Sequence, residues 1–360
     1  MTSIHDLARE TGVSTATVSR ALRGLPRVSE DTRRRVMEAA VRLGYVPSPH
    51  AVGLASGGQT RTVAIVVLFV TRWFFATVIS GAEQVLRERG YDVLLYNLDD
   101  DQEARRRVLG THLLTKRVDA MLIVGLGPTP QEVHWLSNQG MPVVTVGARV
   151  AQWPSVRVDD ELVARTAVEH LLELGHRRIA YVGMLNDASL SLATPRARAR
   201  GYRDTLRDAG SEADPDLELE GGFTLEGGTS AGDRLLALSP RPTAVFCASD
   251  EMAFGVLRAA RREGLRVPED LSVVGVDDHE MAALFDLTTV RQPVLEQGRL
   301  AARHVLRLMA PQESDEEVSD HVELGTELVV RGTTGPAPAA SPESVSPGAG
   351  GEGTKAGVER

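Results

Sequence analysis

Thr11-Gly12-Val13-Ser14-Thr15-Ala16-Thr17-Val18-Ser19-Arg20-Ala21-Leu22 is the stretch on which the reading of this 360-residue chain turns. Upstream, Ile4, Leu7 and Ala8 recur at helical spacing, which predicts a short amphipathic helix over 4–10. Gly12 ends it, because a glycine can take the left-handed conformation that turns a chain sharply. Ser14 then starts a second helix by offering its hydroxyl to the free amides, and that helix runs to about Arg23. Val18, Ala21 and Leu22 share its inner face, while Thr15, Ala16, Ser19 and Arg20 share its outer one. A third helix over 31–43 turns Val36, Ala39, Ala40 and Leu43 inward and Arg33, Arg34, Arg35 and Arg42 outward. Two short helices around a glycine occur in many globular domains, so charge has to decide. Residues 1–61 hold nine arginines against five carboxylates, a surplus of four, within a chain of net charge −9, so the remainder stands at −13. A basic head on an acidic body suits a helix-turn-helix whose second helix enters a DNA major groove.

The ordered segments Ile4-His5-Asp6-Leu7-Ala8, Gly12-Val13-Ser14, Thr17-Val18-Ser19-Arg20-Ala21-Leu22 and Leu43-Gly44-Tyr45-Val46-Pro47 resemble the head of the lactose- and galactose-repressor (LacI/GalR) family of transcriptional regulators. The resemblance continues at lower density almost to Arg331. It implies that Thr15 and Ala16 lie against base edges and that Arg20 reads guanine. It also implies that Ser14, Thr17, Arg23, Ser29 and Arg33 touch phosphates and set the register, although Arg23 replaces the asparagine common there. Between Pro47-Ser48-Pro49 and Gly57-Gly58 lies a segment too short to be a stable helix alone, and it reads equally as a linker. By resemblance it is a hinge helix that orders when two copies pair over the minor groove, with Leu54 wedged into the central base step. Val52 stands where an arginine is common, and Gly53 costs a helix about 1 kcal/mol relative to alanine.

From Thr62 the pattern changes to near-continuous apolar strands alternating with helices. Strands are predicted over 63–68, 91–96, 120–124, 143–146, 178–182, 244–248 and 271–276, and helices over 76–89, 103–115, 162–174, 198–209, 228–238, 250–262 and 296–309. Such alternation means parallel sheets covered on both faces, and the span is long enough for two of them. The expected fold class is therefore α/β: an N-terminal all-α helix-turn-helix head followed by two doubly wound parallel sheets, which by resemblance are periplasmic-binding-protein-like and discontinuous. The expected domains are 1–47 for the head, 48–60 for the hinge, 61–332 for effector binding and dimerisation, and 333–360 for a tail. That tail is rich in Gly, Pro, Ser and Ala and holds no leucine, isoleucine or aromatic residue, so it is expected to be disordered. It cannot supply the leucine heptad that joins some family members into tetramers, which favours a dimer. The lone Cys247 lies in an apolar run and reads as a buried thiol. With no leader and no apolar run near ~20 residues, the protein is expected in the cytoplasm without a membrane partner.

Catalysis has little support. The chain contains no phosphate-cradling loop ending in Gly-Lys-Ser/Thr, no Cys-x-x-Cys pair and no His-Glu-x-x-His helix, and its Gly-x-Ser-x-Gly match, Gly228-Thr229-Ser230-Ala231-Gly232, falls inside a predicted helix and makes no strand-to-helix elbow. In Asp159-Asp160 and Asp277-Asp278 the neighbours should point in opposite directions, so neither forms a paired-carboxylate site. No catalytic residue, metal or cofactor is expected. The resemblance instead implies an effector cleft at the carboxyl ends of the strands. There Phe74 and Phe75 offer ring faces, one of them expected to pack in the core, Arg198 clamps effector oxygens, and Asp277 accepts from hydroxyls or ring nitrogens. Thr194, Phe223, Ser249 and Gln292 fall where relatives line the cleft, and a structural role fits each as well. Trp73 replaces a usual proline and Gly147 a frequent aspartate, so effector identity does not carry over. The combined expectation is a homodimeric repressor of a pseudo-palindromic double-stranded operator, controlled by a small molecule such as a sugar or sugar derivative. A solute-binding protein is the first alternative, opposed by the basic head. An enzyme that uses the cleft is the second, opposed by the missing motifs.

Overall fold

The computed structural model describes residues 2–22, 24–45, 60–99, 101–185, 193–310 and 319–338. Arg23, Leu54 and the expected hinge lie outside them. In the head, α1 (Ile4–Thr11), α2 (Thr15–Leu22) and α3 (Glu30–Leu43) enclose Leu7, Val18, Ala21, Val36 and Ala39. Ser3 and Asp6 form a capping box at the start of α1, and Gly12 closes it at φ 67° with its N–H on the Ala8 carbonyl. Ser14 Oγ accepts from the Thr17 amide at 3.1 Å, which is the restart expected for α2. The sequence pattern and the helices agree because caps and core are local.

The body begins with β1 (Thr62–Val67), α4 (Trp73–Glu88), β2 (Asp92–Asn97), α5 (Gln102–Leu109), β3 (Ala120–Val124), α6 (Pro130–Asn138), β4 (Val143–Val146) and β5 (Ser155–Val158). It continues through α7 (Asp160–Glu173), β6 (Ile179–Gly183), α8 (Ala193–Asp208), β7 (Glu218–Glu220), α9 (Leu225–Leu236), β8 (Ala244–Cys247), α10 (Asp250–Arg262) and β9 (Ser272–Asp277). Then come β10 (Thr288–Arg291), α11 (Val294–Met309), β11 (His321–Leu324) and β12 (Glu327–Val329). Two six-stranded sheets result, in the orders β11-β5-β4-β3-β1-β2 and β12-β10-β9-β8-β6-β7. All pairings are parallel except β10 with β12. The chain passes between the sheets three times, after β5, after β10 and after β11, so each lobe is discontinuous. β1 from Val63 and all of β3 are buried without alternation, as strands covered on both faces must be.

α11 returns to the first lobe and crosses α4 with almost no space between the backbones. A Cβ on Gly81 would sit 2.2 Å from the Leu295 carbonyl oxygen, and one on Gly298 would sit 2.1 Å from that of Val78. Only hydrogen fits at either position.

Three expectations shift. The helix expected to start at 76 starts at Trp73, which places both candidate phenylalanines in its first turn. The helix expected to reach 115 stops at Leu109, before Gly110, and a separate 3-10 turn spans His112–Leu114. β5, β7, β10, β11 and β12, of three or four residues each, were not anticipated, because a period of two cannot be recognised over so few positions. The tail needs correction too. Its first residues are fixed: Thr333 is buried, its hydroxyl donates to the Val273 carbonyl at 2.7 Å and accepts from the Thr288 amide at 2.9 Å. The Gly335 amide donates to Ser272 Oγ at 3.1 Å, and the Ala337 amide donates to the Leu174 carbonyl at 2.8 Å. Composition gauges apolar side chains, whereas hydroxyls and backbone amides anchor this segment. No helix among the described residues is long and apolar enough to cross a membrane.

Thr333→Val keeps the shape but leaves a buried amide and a buried carbonyl unpaired, so it should lower unfolding stability by about 1–3 kcal/mol. A urea midpoint unchanged from the parent chain would contradict this anchoring.

Candidate functional site

The carboxyl ends of the central strands of both sheets face one another across a cavity of about 740 Å³, its mouth included. Phe74, Phe75, Thr194, Arg198, Phe223, Ser249, Asp277 and Gln292 all line it. The structure thus brings together every cleft residue that the sequence nominated. It adds Arg72, Asp160, Glu251 and Gln297, which the sequence reading did not place there.

The two rings come from the first turn of α4 and meet edge to face, with centroids 5.4 Å apart. Phe75 packs against both hydrophobic clusters of the first lobe, while Phe74 packs against one. Phe75 fills the space above Gly125, where a Cβ would come within 2.6 Å of the ring. The glycine is needed there twice over, since its φ is +68°.

Arg198 departs from the expected clamp. Its Nε donates to Asp160 Oδ1 at 2.9 Å, Nη2 lies 2.9 Å from the same oxygen, and Nη1 donates to the Ala248 carbonyl. Asp160 Oδ2 accepts from the Thr194 hydroxyl at 2.8 Å. The guanidinium is therefore engaged by the protein. The neighbours do diverge as their spacing requires: Asp159 caps α7 through the Glu161 and Leu162 amides, and Asp160 turns inward. Sequence spacing revealed the divergence, but it held no clue to the partner of the inward carboxylate, 38 residues away along the chain.

Asp277 ends β9 with φ +123°, a conformation that favours glycine, and its side chain is buried. Its Oδ1 accepts from Gln292 Nε2 at 2.6 Å, and Gln292 Oε1 in turn accepts from Gln297 Nε2 at 2.9 Å. Burial pushes the Asp277 carboxyl up to about 7 against the pull of Arg198 and the Gln292 bond, with Glu251 and Asp160 pushing further up. Asp278 diverges outward, where Arg331 and Arg291 bond it at 2.6 and 2.7 Å. Behind Asp277, Asp250 accepts from Thr289 Oγ1 at 2.7 Å and the His279 amide at 2.8 Å, and burial holds it well above the usual carboxylate range. Burial also raises Glu251, opposed first by the charge of Arg72 and then by a bond from the Trp73 amide. At the same rim the Trp73 ring lies 4.9 Å from that of His279, joining the two lobes.

Ser249 caps α10 by accepting from the Met252 amide at 3.3 Å, a structural role alongside its place on the cavity wall. Phe223 lines the cavity with φ +53° and packs against the second lobe's core. In the head, Ala16 and Arg20 are exposed and Thr15 is half-buried. Ser14 and Ser29 cap α2 and α3, and Thr17 bonds to Ser14. Arg33 Nη2 donates to the Leu25 carbonyl at 3.1 Å. Among the described residues, the Arg20 side chain has neither an ion pair nor a hydrogen bond, and no group of three His, Cys, Asp or Glu is placed to hold a metal.

A three-helix head followed by two facing sheets around a cavity defines a ligand-responsive transcription regulator. The comparisons make this specific. Residues 3–48 match the family model "Bacterial regulatory proteins, lacI family", and residues 168–334 match the periplasmic binding protein-like domain. The chain is 35% identical to the HTH-type transcriptional repressor CytR of Escherichia coli, over 92% of this chain and 96% of that one. Among solved structures it resembles the transcriptional regulator CelR in complex with cellobiose, at TM-score 0.67 and 33% identity over 92% of this chain and 100% of that one. It also resembles the lac repressor dimer bound to operator and the anti-inducer ONPF, at TM-score 0.77 and 27% identity over 93% and 99%. The chain belongs to the LacI family of bacterial transcriptional regulators, and its relatives are regulators rather than enzymes.

Two outcomes follow from the carboxylates. Asp160→Asn leaves Arg198 buried without its counter-ion and should cost about 3–5 kcal/mol, whereas Asp159→Asn keeps an equivalent cap and should be nearly neutral. Equal losses for both in chemical unfolding would refute the assignment. Because the folded state disfavours the ionised form of Asp277, that residue lowers stability as pH rises from about 4 to above 7. Asp277→Asn should then be more stable than the parent chain by about 1–4 kcal/mol near pH 8, with the gain vanishing near pH 4.

Proposed function

We propose that the chain is a homodimeric repressor that binds a pseudo-palindromic operator through two heads and is controlled by a small molecule, a sugar or sugar derivative, in the cavity. The observation that carries this reading is the convergence of all eight nominated side chains on one cavity, which the chain's three crossings connect to both lobes. The head contributes an exposed Arg20 beside Thr15 and Ala16 for base edges, with Ser14, Thr17, Arg23, Ser29 and Arg33 as candidate phosphate contacts and Leu54 as the candidate minor-groove wedge. The dimer of the lac repressor on its operator and the bound cellobiose of CelR are properties of those proteins that support carrying the same arrangement to this chain. A cytoplasmic location accords with that role.

Ligand in the cavity favours one angle between the lobes over another and so biases the hinge that pairs over DNA. The coupling is reciprocal: operator DNA changes effector affinity by the same factor.

Selection from a randomised duplex pool at near-physiological salt should enrich a palindrome with a central CG step. Retention without a motif, lost steeply as salt rises, would leave only non-specific phosphate attraction and return the chain to ligand binding alone. Arg20→Ala should relax one base position in each half-site by about 1–3 kcal/mol in competition binding. Weakening that is uniform across all sequences would make Arg20 a phosphate contact instead.

A further inference from the structure

The amino ends of β1, β2 and β3 lie at the opposite end of the first sheet from the cavity, and β1 is where the chain arrives from the head. Asp119 pins that arrival. Its carboxylate accepts from the Thr60 and Arg61 amides, each at 2.7 Å, and from the Thr60 hydroxyl at 3.0 Å. Cations crowd around this point. Arg61 precedes β1, Arg89 lies in the turn before β2, and Lys116 and Arg117 lie in the turn before β3. Arg106 and Arg107 occupy the last turn of α5, which runs back from the carboxyl end of β2 to the same end of the sheet. All six are exposed, and among the described residues none has an ion pair.

The neighbouring carboxylates do not answer them. Between Glu103 and Asp119 the chain carries five cations and no carboxylate, and only Arg105 of the five is taken up internally, by Glu132. Beside the six exposed cations stand Glu88, Asp92 and the already occupied Asp119, which leaves a surplus of three, although residues 62–360 as a whole stand at −13. On the second lobe the exposed arginines are mostly paired: Arg200 with Glu161, Arg203 with Glu218, Arg262 with Asp233 and Arg266 with Asp270. The carbonyl ends of α4 and α5 account for Arg89, Arg106 and Arg107, since a helix dipole favours cations there. They do not account for Arg61, Lys116 and Arg117. Arg61 and Lys116 even hold φ of +51° and +64°, where a long side chain is a rare choice.

The covalent chain sets how far this patch can stand from DNA. Leu54 and Thr60 are six residues apart, and an extended chain of that length spans at most about 22 Å. With Leu54 on the floor of a minor groove about 7.5 Å deep, Thr60 lies within roughly 14 Å of the duplex surface. That is less than two screening lengths of about 8 Å at physiological salt, before the cationic side chains extend towards the phosphates. Taking the chain as an operator-binding regulator with Leu54 in the groove, we propose that the amino end of its first lobe is a second DNA contact, in which Lys116 and Arg117, with Arg61 and Arg89 beside them, meet phosphates flanking the central base step. The contact is to phosphate alone, so it adds affinity without reading sequence, and the heads keep the specificity. A dimer presents the patch twice.

The test uses the full chain and two duplexes of equal length, the palindrome selected from the pool and a scrambled version, with Kd measured by fluorescence anisotropy between about 50 and 200 mM salt. Lys116→Gln/Arg117→Gln removes four charges per dimer. It should weaken both duplexes by the same factor, about tenfold near physiological salt, and lower the slope of log Kd against log salt by about 2–4. Arg234→Gln/Arg241→Gln removes the same charge from exposed positions on the second lobe and should change the slope by less than about 1. Arg89→Gln, in the neighbouring turn, should lower it by about 1–2 and decides the matter if the first variant does not fold. Equal effects from the two double variants, or an unchanged slope in the first and in Arg89→Gln, overturn the second contact and leave the operator reading standing. Lys116→Gln/Arg117→Gln that sediments as a monomer makes the patch a seat for a second copy and also overturns it. If the parent chain selects no palindrome, the operator reading itself falls, and the second contact with it.

Discussion

The buried pair of Asp160 and Arg198 is the interaction on which the cavity depends. Asp160 follows directly on the first passage between the lobes, and Arg198 reaches it from α8 while also holding the carbonyl at the end of β8. One carboxylate thus joins the crossover, the helix that carries Thr194 and the strand that leads into Ser249. Both side chains are almost wholly removed from water, at 4% and 8% exposed, so neither can lose its partner without stranding a charge in the interior. In this arrangement three of the five N–H groups of Arg198 are engaged by Asp160 and the Ala248 carbonyl, while the guanidinium still lines the cavity.

What the sequence made legible and what it hid divide along range. The head was readable because Ser3, Gly12, Ser14 and the Val18–Ala21–Leu22 face are all decided within a few residues. The central strands were readable because burial on both faces removes polar positions entirely. Phe74, Arg198 and Asp277 were nominated by resemblance, and their convergence on one cavity came from the fold. The roles of Asp160, Glu251 and Gln297 were hidden, because each depends on a partner brought near only by the crossovers or, for Gln297, on which way Gln292 is turned. The fixed residues 333–338 were hidden for another reason: backbone amides and hydroxyls leave no compositional trace.

The arrangement also explains why the two acidic pairs look alike in the sequence and differ in the molecule. In each, one carboxylate performs a local structural task on the outside, at a helix cap or between two arginines, and its neighbour faces the cavity. Neither pair owes this to plain strand alternation, because Asp160 already begins α7 behind its cap Asp159, and Asp277 and Asp278 both have positive φ at the end of β9.

The interleaving of the lobes has a consequence for how the protein is made. As the chain leaves the ribosome, β1 to β5 and α4 emerge together, but the helix that covers them, α11, and the edge strand β11 come only after the whole second sheet through β10 has been synthesised. Until then the small-residue face of α4 around Gly81 and Ala82, and the edge of β5, stand open to water and to other nascent chains. The first lobe to appear is therefore the last to be completed. The very close approach of Gly81 and Gly298 means that a delayed, misplaced α11 finds only one seat in which it fits.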